Sequence, residues 1–208
     1  GNVFRELVIE HCDPTATGDV VVEGTYTTGM QDQAPLGTEA GIAVPRPGGG
    51  VHVVVATQWL HVDREQIAAS LDLPEGQVEV ELGGVGGAFG AREDVSLQIH
   101  MALLALRTGR PVKMVYGREE SFLGHVHRHP ARMHYRHHVR RDGTIVKVEV
   151  DVLLDGGAYC SSSPAVLANA AIFSTGPYRV PNAVVRARAV RTNNPPCGAM
   201  RGFGSVQV

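Results

Sequence analysis

Cysteine is scarce in this sequence, charge is nearly balanced and long apolar runs are missing; each shortage removes a class of protein. Cys12, Cys160 and Cys197 are the only cysteines in 208 residues. Odd in number and widely spaced, they argue against a secreted disulfide framework and lead us to expect reduced thiols in a cytoplasmic protein. No apolar stretch approaches the roughly 20 residues needed to span a bilayer, and the start lacks a basic segment followed by an apolar one. The formal charge is -2 with Lys and Arg scattered, so no field favours a nucleic-acid backbone or an anionic membrane surface. What is present, 43% hydrophobic residues, can bury a core. The first residue is Gly1 rather than Met, and Val208 follows a Gly-rich run, so a piece of a longer polypeptide is expected.

Period-2 alternation marks strands with one buried face. Val78, Val80 and Leu82 alternate with Gln77, Glu79 and Glu81, and Val146, Val148, Val150 and Val152 with Lys147, Glu149 and Asp151. Further strands are predicted over 19–29, 36–45, 51–57, 111–116, 131–140 and 183–192. Helical spacing appears over 63–71, with Asp63 as N-cap, and over 91–107, where Val95, Ile99, Ala102, Leu103 and Leu106 recur. Thr108-Gly109 followed by Pro111 should end the second helix, and the Ala-rich stretch within 156–177 should hold a short one. Arg141-Asp142-Gly143 predicts a hairpin between strands 131–140 and 144–153, and Arg46-Pro47-Gly48-Gly49-Gly50 a turn between two others. The expected fold class is α+β, with mixed sheets and few helices, in one domain over 1–208 with room for two subdomains.

The strongest local signal is Gly83-Gly84-Val85-Gly86-Gly87-Ala88-Phe89-Gly90, between the strand ending at Leu82 and a helix expected to begin near Ala91. Such a junction gathers unpaired backbone N–H groups at a helix N-terminus, which suits an anionic or oxo ligand. Two nucleotide readings fail on the residues. A phosphate loop would end in Gly-Lys-Ser/Thr where this run has Gly90-Ala91-Arg92, and a dinucleotide fingerprint starting at Gly84 and Gly86 meets Phe89 at its third glycine. Glu93 and Asp94 are expected in the first helical turn.

A second Gly-rich segment, Asn193 to Gly204, frames Arg201 between small residues, and a guanidinium there could face a developing anion. Gln58 ends an apolar strand with an amide able to donate to an oxo group. His125, His127 and His129 would share one strand face, and His134, His137 and His138 lie close by, but carboxylate or Cys partners at short spacing are missing, so no direct protein metal ligand is assigned. No Gly-x-Ser-x-Gly elbow exists, Ser161 to Ser163 read as loop residues, and nothing local marks Cys160 or Cys197 as an activated thiol.

Together these segments resemble the molybdenum hydroxylases, the xanthine dehydrogenase and aldehyde oxidase family. Gly86-Gly87-Ala88-Phe89-Gly90-Ala91-Arg92-Glu93 is similar to that family's Gly-Gly-Gly-Phe-Gly-Gly-Lys-Glu motif. A Thr-Gln strand end, the loop, an apolar helix, Gly109-Arg110-Pro111-Val112 and Arg201-Gly202-Phe203-Gly204 follow in the same order. His129-Pro130, Asp142-Gly143-Thr144 and the Glu-containing stretch Met30 to Pro45 also have counterparts, so the resemblance covers nearly the whole chain. Residues 194–204 look closest to bacterial purine-type xanthine dehydrogenase subunits.

The resemblance implies a molybdenum-molybdopterin cofactor, with iron–sulfur clusters and FAD in partner subunits or domains. By matching position, Gln58 resembles the glutamine that hydrogen-bonds a molybdenum oxygen ligand, and Phe89 with Gly90 the loop facing the cofactor. Glu93 matches the carboxylate that orients a heterocyclic substrate, and Arg201 the arginine that stabilises charge on it. The implied activity is oxidative hydroxylation of a purine such as xanthine or hypoxanthine, with water as oxygen source. The family's glutamate base lies beyond Val208, so the chain alone should be inactive. Ala88 and Ala91 depart from the motif's glycines and Arg92 from its lysine. Gly202 stands where the related carbon monoxide dehydrogenases have a copper-binding Cys, which disfavours that reaction. An aldehyde oxidase of broader specificity and a non-catalytic structural domain are the competing expectations; the carboxylate of Glu93 favours the purine.

Overall fold

A computed structural model describes all of residues 1–208, with nine strands and four α-helices. The strands are β1 (Val3–His11), β2 (Val20–Thr28), β3 (Ala40–Pro45), β4 (Val51–Val55), β5 (Val78–Leu82), β6 (Val112–Val115), β7 (Ala131–Val139), β8 (Ile145–Asp155) and β9 (Asn182–Val190). The helices are α1 (Leu60–Leu71), α2 (Gln98–Thr108), α3 (Arg118–Gly124) and α4 (Ser163–Phe173). No helix is long and apolar enough to cross a membrane. The chain divides into a central unit, Asp32–Val126, and a terminal unit made of Gly1–Gln31 with His127–Val208.

The central unit carries a four-stranded sheet in the order β5-β4-β3-β6. Only β4 and β5 run parallel, with α1 as their crossover, and β3 pairs antiparallel with both β4 and β6. Val51, Val53 and Val55 point to one face, where Ile67 and Ala68 of α1 and Met101, Ala102 and Ala105 of α2 close a core. Gly41 lets this face close tightly: a Cβ would stand 3.0 Å from the Val54 carbonyl oxygen and displace the tip of the Met101 side chain. Gly109 ends α2 in the left-handed conformation, φ 66°, and its N–H donates to the Ala105 carbonyl, as the Thr-Gly-x-Pro pattern predicts.

The terminal unit holds a five-stranded sheet in the order β1-β9-β8-β7-β2. Again one pair is parallel, β8 with β9, bridged by α4, while β7 to β8 is the hairpin turned by Arg141-Asp142-Gly143. Val148, Val150, Val152 and Leu154 meet Val166, Leu167 and Ala170 of α4 in the core. The Ala-rich sequence of α4 lets the helix lie close on the sheet, with Pro164 in its first turn where a missing N–H costs nothing.

Two helix starts differ from expectation. Asp63 is not a cap: α1 begins at Leu60 after Trp59, and Asp63 lies buried in its first turn. The second helix begins at Gln98 rather than near Ala91: 89–97 is a run of turns and bends that opens with Phe89 and Gly90 at positive φ. Elements β1 and α3 were not anticipated. The latter starts where the Glu120 carboxylate accepts from the Gly117 N–H at 2.7 Å, a signal carried by one acidic residue.

Candidate functional site

The carboxyl ends of β4 and β5 lie side by side, with Val55 opposite Leu82 and the Gly83 N–H donating to the Val55 carbonyl at 2.9 Å. Both Gln58 and the Gly-rich loop leave from this parallel pair, the position where open sheets with helical crossovers present ligand sites. The loop is bare backbone at Gly84 and Gly86, where an added Cβ would meet nothing within 4 Å. Phe89 takes φ 55°, an unfavourable conformation for a bulky side chain, and leaves its ring 44% exposed. Trp59, Leu82 and Val85, on the same strand ends and loop, are exposed as well.

Gln58 is fastened at both ends of its residue. Its N–H donates to the Arg92 carbonyl at 2.8 Å, and the Thr57 hydroxyl also reaches that oxygen at 3.3 Å. Its Oε1 accepts from the N–H groups of Gly90 at 3.2 Å and Arg92 at 3.4 Å. With Oε1 committed to two donors, the amide nitrogen of this exposed side chain is left to donate outward. Pocket walls nearby are formed by Thr57, Gln58, Trp59, Leu60, His61, Val62 and Leu82.

Glu93 follows in the run of turns, its N–H donating to the Gly90 carbonyl at 3.2 Å. It is therefore not in a helical first turn, and a helix dipole is not what acts on it. Burial, and secondarily the Asp94 charge, push its carboxyl above the ordinary value. Behind the loop, Arg92 and Glu39 form a buried ion pair, 6% and 2% exposed, and a second Arg92 nitrogen donates to the Gly37 carbonyl at 2.8 Å. Burial pushes the Glu39 carboxyl up, but the nearby donors of Ser121, its own backbone and Arg92, with the Arg92 charge, bring it below the ordinary value.

Gln58, Phe89, Gly90 and Glu93 thus gather in the central unit, while Arg201 belongs to the terminal unit. There Arg201 is exposed, between the end of β9 and the glycines Gly202 and Gly204, both at positive φ. Its carbonyl accepts from buried Arg128 at 3.0 Å, and a second Arg128 nitrogen donates to Gln207 Oε1, which also takes the Gly204 N–H at 3.0 Å. Sequence reading missed Arg128 and the Arg92 to Glu39 pair. Arg92, a charge inside a Gly- and Ala-rich run, offered a signal, whereas Arg128 sits in a His-rich stretch where one more cation does not stand out.

The histidine reading is corrected. His125, His127 and His129 share no strand face, because 125–130 is irregular: His125 pairs with Asp32 at 3.1 Å in the central unit, and His129, fully buried in the terminal one, bonds Ser163 at 2.8 Å. Ser163 is accordingly the buried first residue of α4 rather than a loop residue. Burial, with a smaller effect of Asp155, pushes the Cys197 thiol up to about 12, so it is no nucleophile.

A loop of open backbone amides, an outward carboxamide donor and no thiolate or imidazole cluster form a donor set for oxo and pterin polar groups rather than for direct metal ligation. Such a sheet end and such a loop suit a cofactor-binding domain. The chain belongs to the molybdopterin cofactor-binding domain family, which it matches over residues 10–208.

Among curated relatives, the nicotinate dehydrogenase large molybdopterin subunit of Eubacterium barkeri is 43% identical over 209 residues, covering 99% of this chain and 49% of the relative. A probable xanthine dehydrogenase subunit of Bacillus subtilis is 37% identical over 211 residues, covering all of this chain and 28% of the relative. The aldehyde oxidoreductase of Desulfovibrio gigas superimposes with a TM-score of 0.89 at 28% identity, over 98% of this chain and 23% of that one. The chain spans half or less of the length of these proteins.

Proposed function

We propose that this chain forms part of the molybdenum-cofactor subunit of a hydroxylase that oxidises an N-heteroaromatic ring, a purine such as xanthine or hypoxanthine. The observation that carries the reading is the Gln58 carboxamide, whose oxygen is held by the Gly90 and Arg92 amides beside the Gly-rich loop, which leaves its nitrogen as the end to meet a ligand. The molybdenum cofactor, when bound, supplies the two-electron and oxygen-transfer chemistry. Ring carbon and water become hydroxylated ring, two protons and two electrons. The electrons leave through iron–sulfur and FAD components in partner subunits or domains of a cytoplasmic assembly.

The chain's own residues take defined parts in this proposal. Gln58 donates to a cofactor oxygen, and Phe89 with Gly90 line the loop that faces it. Glu93, its carboxyl raised by burial and by Asp94, accepts from or donates to the polar edge of the ring and so orients it. Arg201 neutralises charge that builds on the ring, an effect typically worth about 3–4 kcal/mol per donor. The 208 residues alone supply only part of such a pocket and are expected to retain no stoichiometric molybdenum.

A second reading, a pyridine carboxylate as substrate, is favoured by the 43% identity to a nicotinate dehydrogenase subunit. Steady-state kinetics of the intact complex on xanthine, hypoxanthine, nicotinate and a simple aldehyde separate the two. Arg201→Met should depress purine turnover by about two to three decades and aldehyde turnover far less. Glu93→Val should shift preference from purines toward aldehydes, and equal losses on both substrate types would remove the ring-reading roles.

A further inference from the structure

We infer that Glu39 and Arg92 are positioning residues for the Gln58 carboxamide: a buried ion pair behind the Gly-rich loop that keeps the amide nitrogen of Gln58 facing outward. The inference rests on the proposed donor role of Gln58 and adds to it the device that sets its orientation.

Arg92 is tied in three directions at once. Its carbonyl holds the Gln58 N–H at 2.8 Å and the Thr57 hydroxyl at 3.3 Å, which fastens the loop to the end of β4. Its N–H, with that of Gly90, faces Gln58 Oε1 at 3.4 Å and 3.2 Å. Its guanidinium spans Glu39 and the Gly37 carbonyl, both just ahead of β3. Glu39 is itself anchored, since its carbonyl accepts from the Tyr116 N–H at 2.8 Å, beyond the end of β6. The loop amides that choose which end of the carboxamide faces inward are thereby indexed to three strands of the sheet.

An amide side chain can rotate by half a turn at almost no steric cost, so the choice between Oε1 and nitrogen is purely one of hydrogen bonding. Two N–H donors on one side enforce oxygen inward. If the loop relaxes by a fraction of an ångström those long bonds lapse first, and the outward donor is lost for part of the population. Burying an ion pair is costly in itself and seldom adds stability over apolar packing, so its retention in a loop of small residues points to a demand for position.

The test uses the intact, molybdenum-loaded enzyme and a double-mutant cycle of Glu39→Gln with Gln58→Ala. Glu39→Gln should lower turnover per bound molybdenum roughly 10- to 100-fold with KM unchanged. Amide hydrogen exchange at Gly90 and Arg92 should become faster. In a Gln58→Ala background the Glu39 change should cost nothing further, and Arg92→Lys, which retains the charge opposite Glu39, should keep most of the rate. Additive losses in the cycle, or unchanged exchange at those two amides, would overturn the positioning role while leaving Gln58 as a donor. If Gln58→Ala alone leaves turnover unchanged at full loading, the donor reading fails and this inference falls with it. Should Glu39→Gln fail to fold, Glu39→Asp, which keeps the charge and shortens its reach, carries the same cycle to the same outcomes.

Discussion

The two units use the same device and put it to different uses. Each has one parallel strand pair bridged by a helix, β4-α1-β5 and β8-α4-β9, in an otherwise antiparallel sheet, and in each a Gly-rich loop follows the second strand of the pair. In each, a glycine just past one strand donates to the last carbonyl of the other: Gly83 to Val55 at 2.9 Å, Gly156 to Val190 at 2.8 Å. A polar side chain at the end of the first strand then ties down the loop. The Asp155 carboxylate takes the Gly157 N–H, the Thr192 hydroxyl and the Asn194 amide, and the loop behind it buries Cys197, Gly198 and Ala199. Gln58 takes two N–H groups with its oxygen, keeps its nitrogen outward, and the glycines beside it stay open. A carboxylate has only acceptors to offer and is used up by packing, whereas a carboxamide can accept inward and donate outward. One residue type thus separates a loop start held by acceptors alone from one that keeps a donor as well.

The contrast predicts a graded set of effects. The largest is expected at the buried pair: Glu39→Ala leaves the Arg92 charge without its acid and should destabilise the protein by about 3–5 kcal/mol, measured by the denaturant midpoint. A loss under about 1 kcal/mol would mean that water or relaxation replaces Glu39.

Acid should act next, through His129 of the terminal unit. Burial, partly offset by Asp155, lowers its folded pKa to about 4 from 6.5. The unfolded chain binds the proton more readily, so stability is complete above about pH 6.5 and declines as pH falls toward about 4, by about 3 kcal/mol at most. Unfolding curves across that window check the sign, and His129→Gln should flatten them.

Asp155→Ala removes three hydrogen bonds from the packed loop and should cost about 2–3 kcal/mol of stability. Gln58→Ala takes the acceptor from two long hydrogen bonds and should cost about 1–2 kcal/mol, less than Asp155→Ala, yet lower turnover at full molybdenum loading. Were Gln58→Ala as destabilising as Asp155→Ala, with turnover unchanged, the two loop ends would be the same kind of structure and the comparison would collapse.

Much of this was legible in advance. Local alternation suffices for β5 and β8, because a strand with one buried face must repeat every second residue, and Thr108-Gly109 suffices for the end of α2, because only the cap conformation decides it. Gln58, Phe89, Gly90, Glu93 and Arg201 stood out through motif resemblance and loop chemistry. The start of α2 was misplaced because the apolar spacing of Val95 continues in phase through 91–97, while the positive φ of Phe89 and Gly90 leaves no periodic trace. Likewise β1 was missed since its strand state depends on β9, whose Ala189 faces Arg5 from the far end of the sequence.

By itself, then, the order of residues determined the α+β class, the hairpin, the helix end at Gly109 and the two Gly-rich loops, all of which follow from short-range periodicity and backbone freedom. Only the tertiary structure decided that Asp63 is buried rather than a cap, that Glu93 lies in turns, that Arg92 meets Glu39 across 53 residues, and that the Gln58 oxygen takes the Gly90 and Arg92 amides. The reason is physical: hydrogen-bond partners and burial are set by strands brought together from distant parts of the chain, and a residue's type constrains what it can bond without naming what it will.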